Sequence, residues 1–224
     1  MKTTYFFGAG KADGSAKEKK LLGGKGANLA EMTNLGIPVP PGFTISTEIC
    51  QYYLNKNSYP NNLDSHVQKA LNQIETIMMQ SFGDEKNPLL ISIRSGARQS
   101  MPGMMETILN VGLSTKTIPG LIKQTSDEHF VFDSYRRLIT MYADVVMEKS
   151  IGIEPTNGNG IRKKLDSIME SMKRREGIKE NSDFSVHNLK ELCDAFKKEI
   201  QNSLHAEFPD DPYVQLWGGI TAVF

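Results

Sequence analysis

Two short stretches of the sequence carry residue types that suit the binding of phosphate. The first is Gly23-Gly24-Lys25-Gly26, directly before a predicted helix over residues 27–35. Glycines let the backbone approach an oxygen-rich ligand closely. A helix that starts after them directs free N–H groups and a positive dipole end at an anion, and Lys25 adds a full charge. Gly24, Lys25 and Gly26 are therefore candidate phosphate-binding residues.

Neither glycine-rich stretch near the N-terminus, Gly23–Gly26 or Gly8–Gly10, matches a well-known phosphate-loop signature. A Walker A loop has Ser or Thr after its Gly-Lys pair, where this chain has Gly26. Gly8-Ala9-Gly10 is no dinucleotide fingerprint either, because Asp13 stands where that motif has its third glycine. A plain surface turn with a lysine is the structural alternative, and the residues alone leave both interpretations open.

The second stretch runs from Arg94 to Thr107. A predicted strand over residues 89–93 ends at Arg94, and Arg98 follows on a loop of small residues. Two guanidinium groups with Ser, Gly and Gln donors nearby suit the binding of an oxyanion. The apolar run Met101–Met105 is either a lid over a ligand or a plug of the core. A salt-bridged arginine over a packed loop is the structural alternative.

The remaining polar residues do not form a recognisable catalytic pattern. The four histidines, His66, His129, His187 and His205, lie apart in the sequence, outside any ligand-spaced cluster. Asp210-Asp211 reads as a solvated helix entry in preference to a metal site. A solvated face is also the interpretation of Arg136-Arg137, with a docking surface as its alternative. No residue is assigned to a metal.

Composition narrows the class of protein. The 224 residues include 26 basic and 26 acidic side chains, and this balance disfavours a general nucleic-acid binder. The N-terminus shows no signal-peptide pattern, and no apolar run reaches the length of about 20 residues that spans a bilayer. A cytoplasmic protein is therefore expected. Cys50 and Cys193 are predicted to be reduced and mostly buried.

Hydrophobic spacing predicts a first part that mixes strands and helices and a second that is almost wholly helical from residue 114 to residue 204. Ser185 is predicted to cap the last of these helices, and Thr47 to cap an earlier one that runs to Leu54. Predicted elements are strands at 4–7, 43–46, 89–93 and 108–111, a core stripe from Leu63 to Phe82, and helices around 135–146, 161–172 and 189–200.

The end of the chain is unusual. Val214, Trp217 and Ile220 recur at helical spacing, and the sequence stops at Phe224 without a capping glycine or a polar tail. This pattern predicts that the chain is a fragment whose last segment packs against further sequence. A short natural protein with a docked C-terminal helix is the alternative.

Four stretches, in the right order, closely resemble the N-terminal part of the pyruvate, phosphate dikinase family. The resemblance covers the chain from about residue 5 to its end. It is also specific, because the related phosphoenolpyruvate synthases share the glycine turn but lack the Met-Pro-Gly-Met-Met run. The four stretches are Leu21–Met32, Pro40–Thr44, Arg94–Asn110 and Phe132–Arg137.

The resemblance implies an activity and its site. Enzymes of this family convert ATP, phosphate and pyruvate to AMP, pyrophosphate and phosphoenolpyruvate, through a phosphohistidine on a swivelling central domain. By this match Lys25 and Arg94 hold ATP phosphates, with Arg94 catalytic and Arg98 beside it, while Gly24 and Gly26 supply the glycine turn. The residues expected in the loop over the phosphates are Met101, Gly103, Met104 and Thr107.

The resemblance also implies an α+β fold, namely a partial ATP-grasp-like domain with an inserted, mainly helical subdomain. The expected boundaries are 1–112, rejoined by 205–224, and 113–204 for the helical part. The Mg²⁺ ligands and the phosphohistidine are expected outside this chain, so the chain alone is expected to be inactive, to bind ATP weakly and to be monomeric. The parent is expected to be a homodimer. Two alternatives remain, a phosphoenolpyruvate synthase-like dikinase and a non-catalytic nucleotide- or phosphate-binding module.

Overall fold

The computed structural model describes residues 2–96, 107–149, 152 and 159–224. These residues form a mixture of helices and small sheets, in agreement with an α+β fold. They separate into two compact units, one built from residues 2–81, 94–96 and 223–224 and the other from 82–93 and the described residues of 107–222.

The first unit is a three-stranded antiparallel sheet with helices. The strands are β1 (Thr4–Gly8), β2 (Lys11–Ala12) and β3 (Gly42–Ile45), in the order β2-β1-β3. Thr4 pairs with Ile45 and Phe7 with Gly42, so the aromatic run of β1 forms the centre of the sheet. The helices are α1 (Lys19–Asn34), α2 (Thr47–Lys56) and α3 (Leu63–Met78). Both α1 and α3 pack against β1 and β3.

The second unit is mainly helical. Its helix α5 (Glu128–Tyr142) packs against α4 (Ile118–Thr125), α7 (Val186–Leu204) and strand β7 (Thr107–Val111). Leu138 and Ile139 of α5 are fully buried, as the predicted apolar face requires. The other elements are β4 (Ser81–Phe82), β5 (Pro88–Leu89), β6 (Ile91–Arg94), the π-helical segment Ala143–Glu148, α6 (Ile161–Glu176) and α8 (Pro212–Ala222).

Five local predictions differ from the structure. The helix predicted from residue 27 already contains Gly24–Gly26, and the strand predicted over 89–93 is divided into β5 and β6. Thr47 is the first residue of α2 instead of its cap, and its hydroxyl donates to the Lys20 carbonyl at 2.6 Å. Phe82 lies in β4 because α3 ends at Met78, where a left-handed Met79 follows. In α8 Val214 is exposed, because the side of the helix that carries Gly219 faces the core. The buried face consists of Gln215, Leu216, Gly219 and Ile220.

The helix cap at Ser185 is confirmed. Its hydroxyl accepts from the Asn188 N–H at 3.1 Å, and the Asn188 side chain accepts from the Ser185 N–H at 3.1 Å. This reciprocal pair satisfies two N–H groups that a helix start leaves without intrahelical partners. The residues next to Ser185 were therefore enough to predict this cap.

Both cysteines are free thiols, as predicted, with Cys193 buried and Cys50 half-buried. Burial raises the pKa of Cys193 from 9.0 to about 12. The unfolded chain therefore loses this thiol proton near pH 9, whereas the folded chain keeps it. The stabilisation is complete below pH 9 and is lost progressively as the pH rises towards 12.

Once the pH exceeds the pKa of the Cys193 thiol in the unfolded chain, we expect the free energy of unfolding to fall with pH. This thiol alone contributes about 1.4 kcal/mol per pH unit to that fall. Urea unfolding at a series of alkaline pH values measures this slope. The Cys193→Ala variant should have a shallower slope than the wild type, and Cys50→Ala should change it less. An unchanged slope in Cys193→Ala would contradict the assignment.

Candidate functional site

The glycine stretch interrupts a helix. Gly23 has φ 69° and ψ 173°, which breaks α1 between Leu22 and Gly24. This region of backbone space is essentially restricted to glycine, and residues held in such regions cluster at binding sites. Helical backbone resumes at Gly24, so Lys25 lies in the first turn of the longer part of α1. A helix start offers N–H groups and the positive end of the dipole to an anion.

Gly24 and Gly26 play different parts. Gly26 is buried, and a Cβ there would lie 2.6 Å from the Thr44 hydroxyl oxygen on β3. The glycine therefore lets α1 pack closely on the sheet. Gly24 is half-buried, and a Cβ there would meet no described atom within 4 Å. The backbone at Gly24 thus leaves room for a ligand, whereas Gly26 fixes the helix in place.

Lys25 and Arg94 carry charges that no described carboxylate neutralises. Lys25 is half-buried and Arg94 is exposed at the end of β6, and neither makes an ion pair within the described ranges. The buried Arg136 differs, because it pairs with Asp133 at 2.6 Å. An unpaired guanidinium or ammonium group is available to a phosphate, to which it gives a charge-assisted hydrogen bond.

The two predicted stretches meet in the first unit. The backbone of Gly23 lies so close to that of Gly96 that a Cβ on Gly23 would overlap the Gly96 carbonyl oxygen. Gly96 is two residues after Arg94, and Gly23 is two residues before Lys25. The structure therefore brings the glycine stretch of α1 and the residues after β6 into direct contact. Gly23 and Gly96 were predicted only as parts of motifs, and the Gly23-Gly24 pair is the one local signal that marks Gly23.

Of the other predicted site residues, the structure describes one. Thr107 begins β7, is half-buried and lies in the second unit. Arg98, Met101, Gly103 and Met104 lie outside the described residues.

Two of the four histidines have structural partners. The ring of His66 shares a hydrogen bond of 2.6 Å with the Thr3 hydroxyl, and His129 contacts the Phe184 carbonyl at 2.8 Å. Arg136 is buried, so the prediction of a solvated face holds only for Arg137, which is exposed. Within the described ranges, no group of three or more His, Cys, Asp or Glu side chains could hold a metal ion.

The acidic pair divides into two roles. Asp211 accepts from the N–H groups of Tyr213 and Val214 at 2.8 and 3.0 Å, which is the predicted helix entry. Asp210 is instead half-buried and accepts from the Thr115 N–H at 2.9 Å, from the Thr115 hydroxyl, and from the Tyr135 hydroxyl at 3.1 Å. Its partners lie far away in the sequence, which is why local patterns missed them.

Among the described helices, none has the length and apolar character needed to cross a membrane.

Comparisons with known proteins identify what the chain is similar to. Residues 19–76 match the family model described as "Pyruvate phosphate dikinase, AMP/ATP-binding domain". The whole chain is 46% identical to a pyruvate, phosphate dikinase of Rhizobium meliloti and spans 24% of that protein. It is 42% identical over 95% of its length to the enzyme of Clostridium symbiosum, of which it spans 23%. It is 44% identical to the chloroplastic dikinase 1 of Arabidopsis thaliana, of which it spans 22%.

These matches confirm the resemblance to the pyruvate, phosphate dikinases that the motifs predict. The matched part of α1 includes the glycine stretch and Lys25. The chain spans about a quarter of the length of the curated relatives.

Proposed function

We propose that this chain, which resembles pyruvate, phosphate dikinases over its whole length, holds the phosphates of ATP between Lys25, the start of the helix at Gly24, and Arg94. The observation that carries this proposal is the contact of Gly23 with Gly96, since Gly23 is two residues from Lys25 and Gly96 is two residues from Arg94. Neither cation makes an ion pair in the part of the chain that the structure describes. Phosphate oxygens accept from guanidinium, ammonium and backbone N–H groups, and the candidate site offers all three.

The proposed activity is that of the relatives. In this proposal the parent enzyme uses ATP and phosphate to phosphorylate a histidine on a swivelling domain, and then passes the phosphoryl group to pyruvate to form phosphoenolpyruvate. Phosphoryl transfer depends mainly on positioning and on neutralising charge. Lys25 would orient the phosphate chain, and Arg94 would stabilise the charge that develops on the transferring group.

The finer architecture is also a proposal. The α+β structure would be part of an ATP-grasp-like domain over residues 1–112 and 205–224, with the helical residues 113–204 inserted. Arg98, Met101, Gly103 and Met104 would complete the phosphate site as a clamp and a covering loop. The parent would be a homodimer and this chain a monomer. The cytoplasmic location stays a proposal, since similar dikinases of Arabidopsis thaliana and Zea mays are named chloroplastic.

Magnesium is proposed to arrive with ATP. The five described candidate residues are a lysine, an arginine, a threonine and two glycines, so none offers the carboxylate that Mg²⁺ favours. The donors fit phosphate and do not fit a metal. We therefore assign Lys25 and Arg94 to the phosphates and leave metal ligation to groups other than these five.

The test is calorimetric titration of the chain with ATP–Mg²⁺. We expect weak binding without turnover, and we expect Arg94→Ala and Lys25→Ala each to weaken it about tenfold to a hundredfold, because each removes a charge-assisted hydrogen bond. Lys17→Ala is the matched control, since Lys17 is an exposed lysine shortly before the glycine stretch. Equal affinity in all variants, or no binding by a chain with a folded circular-dichroism spectrum, would overturn the proposed site.

A further inference from the structure

We infer that Gly23 is a positioning residue, which acts on the ATP phosphates through the placement of Arg94. This inference rests on the proposed function and adds a role for the contact between Gly23 and Gly96. Gly23 itself carries no side chain that could bind a ligand. Its effect comes from how closely it allows the segment after β6 to approach α1.

The contact tolerates only glycine at position 23. The backbone there is in a region that side chains strongly disfavour, and a Cβ would overlap the Gly96 carbonyl oxygen. The overlapping atom belongs to the backbone, so it cannot move aside as a flexible side chain would. A larger residue at position 23 must therefore displace the backbone at Gly96.

This displacement reaches Arg94 because the connection is short. Two residues span at most about 7 Å of extended chain, so the Cα of Arg94 lies within that distance of the Cα of Gly96. Only Ser95 separates Arg94 from Gly96. A shift of the backbone at Gly96 therefore changes the position of Arg94.

The structure offers a matched control on the same helix. Gly36 follows α1 and has φ +77°, close to the +69° of Gly23, but a Cβ on Gly36 would meet no described atom within 4 Å. Gly36→Ala therefore introduces a side chain at a positive φ without the overlap. Gly36→Ala measures the effect of placing alanine at a positive φ beside α1, and Gly23→Ala adds the overlap with Gly96 to such an effect.

The experiment is a double-mutant cycle on the dissociation constant for ATP–Mg²⁺, measured by calorimetry on this chain together with the thermal midpoint of each variant. We expect Gly23→Ala to weaken ATP binding about tenfold and Gly36→Ala to change it less than about threefold. The double variant Gly23→Ala/Arg94→Ala should bind within about threefold of Arg94→Ala alone, because two changes that act through one group are not additive.

The outcomes separate the two proposals. A wild type that does not bind ATP overturns the proposed function and this inference with it. A wild type that loses affinity in Arg94→Ala but shows additive losses in the double variant, or equal losses in Gly36→Ala, overturns the inference alone.

A measurement on the wild type covers the case in which Gly23→Ala does not fold. In an ATP titration followed by NMR, the amide resonances of Gly23, Lys25 and Gly96 should shift with one dissociation constant. An unperturbed Gly96 amide would overturn the inference.

Discussion

Replacing Gln215 by leucine is expected to lower the free energy of unfolding by about 3 kcal/mol or more, because it removes the side-chain partner of three backbone groups, two of them in buried hydrogen bonds. Gln215 is completely buried in α8. Its side-chain oxygen accepts from the Gly112 N–H at 3.0 Å, and its amide donates to the carbonyls of Leu113 at 3.1 Å and Pro209 at 2.9 Å. Leucine fills a similar volume but replaces none of these bonds.

A second substitution at position 215 removes the two donated hydrogen bonds and keeps the accepted one. Gln215→Glu keeps an acceptor for the Gly112 N–H but loses both donations and buries a carboxylate, so we expect it to be at least as destabilising at neutral pH. Gln201→Leu is the matched control, because Gln201 lies exposed on α7, and its free energy of unfolding should stay within about 0.5 kcal/mol of the wild type. Urea unfolding measures all three. Equal stability of Gln215→Leu and Gln201→Leu would refute the role of this amide.

Replacing Asp210 by alanine is expected to lower the free energy of unfolding by about 2–3 kcal/mol, since three donors lose their acceptor at once. The donors are the N–H and hydroxyl of Thr115 and the hydroxyl of the buried Tyr135. Burial raises the pKa of Tyr135, and the neighbouring Asp210 carboxylate raises it further. The tyrosine therefore remains a neutral donor to the carboxylate throughout the physiological pH range.

A double-mutant cycle with Tyr135→Phe tests this bond directly. We expect a coupling energy of about 0.5–3 kcal/mol between Asp210→Ala and Tyr135→Phe, as for residues that share a hydrogen bond. Asp194→Ala is the control, because Asp194 is exposed on α7 and makes no ion pair within the described ranges. Additive effects of the first two changes would show that the Tyr135 hydroxyl gains nothing from Asp210.

Most helices and strands could be predicted from the sequence because their signals are local. The aromatic run of β1, the apolar spacing of α5 and α6, and the reciprocal cap at Ser185 each depend on residues a few positions apart. Where local signals conflicted, prediction was less accurate. Phe82 continued the apolar spacing of α3, but the left-handed residue Met79 had already ended that helix.

Part of the candidate site could likewise be predicted from local signals, and part required the structure. Lys25 and Arg94 were found from residue type and from their places after glycines and at the end of a strand. That neither has a described carboxylate partner required the structure, because ion pairs join residues that the sequence does not mark as neighbours. Arg136 and Arg137 both pair with the nearby Asp133, and only the structure shows that Arg136 is buried and Arg137 exposed.

The sequence by itself determined the local elements, the two phosphate-suited stretches and the family that the chain resembles. The tertiary structure decided that Gly23 and Gly96 touch, that Gln215 links α8 to the residues after β7, and that Asp210 is an acceptor for Tyr135. The physical reason is the distance along the sequence over which each interaction acts. Backbone propensities and caps act over one or two turns, whereas close backbone contacts and buried hydrogen bonds join residues that only the packed chain brings together.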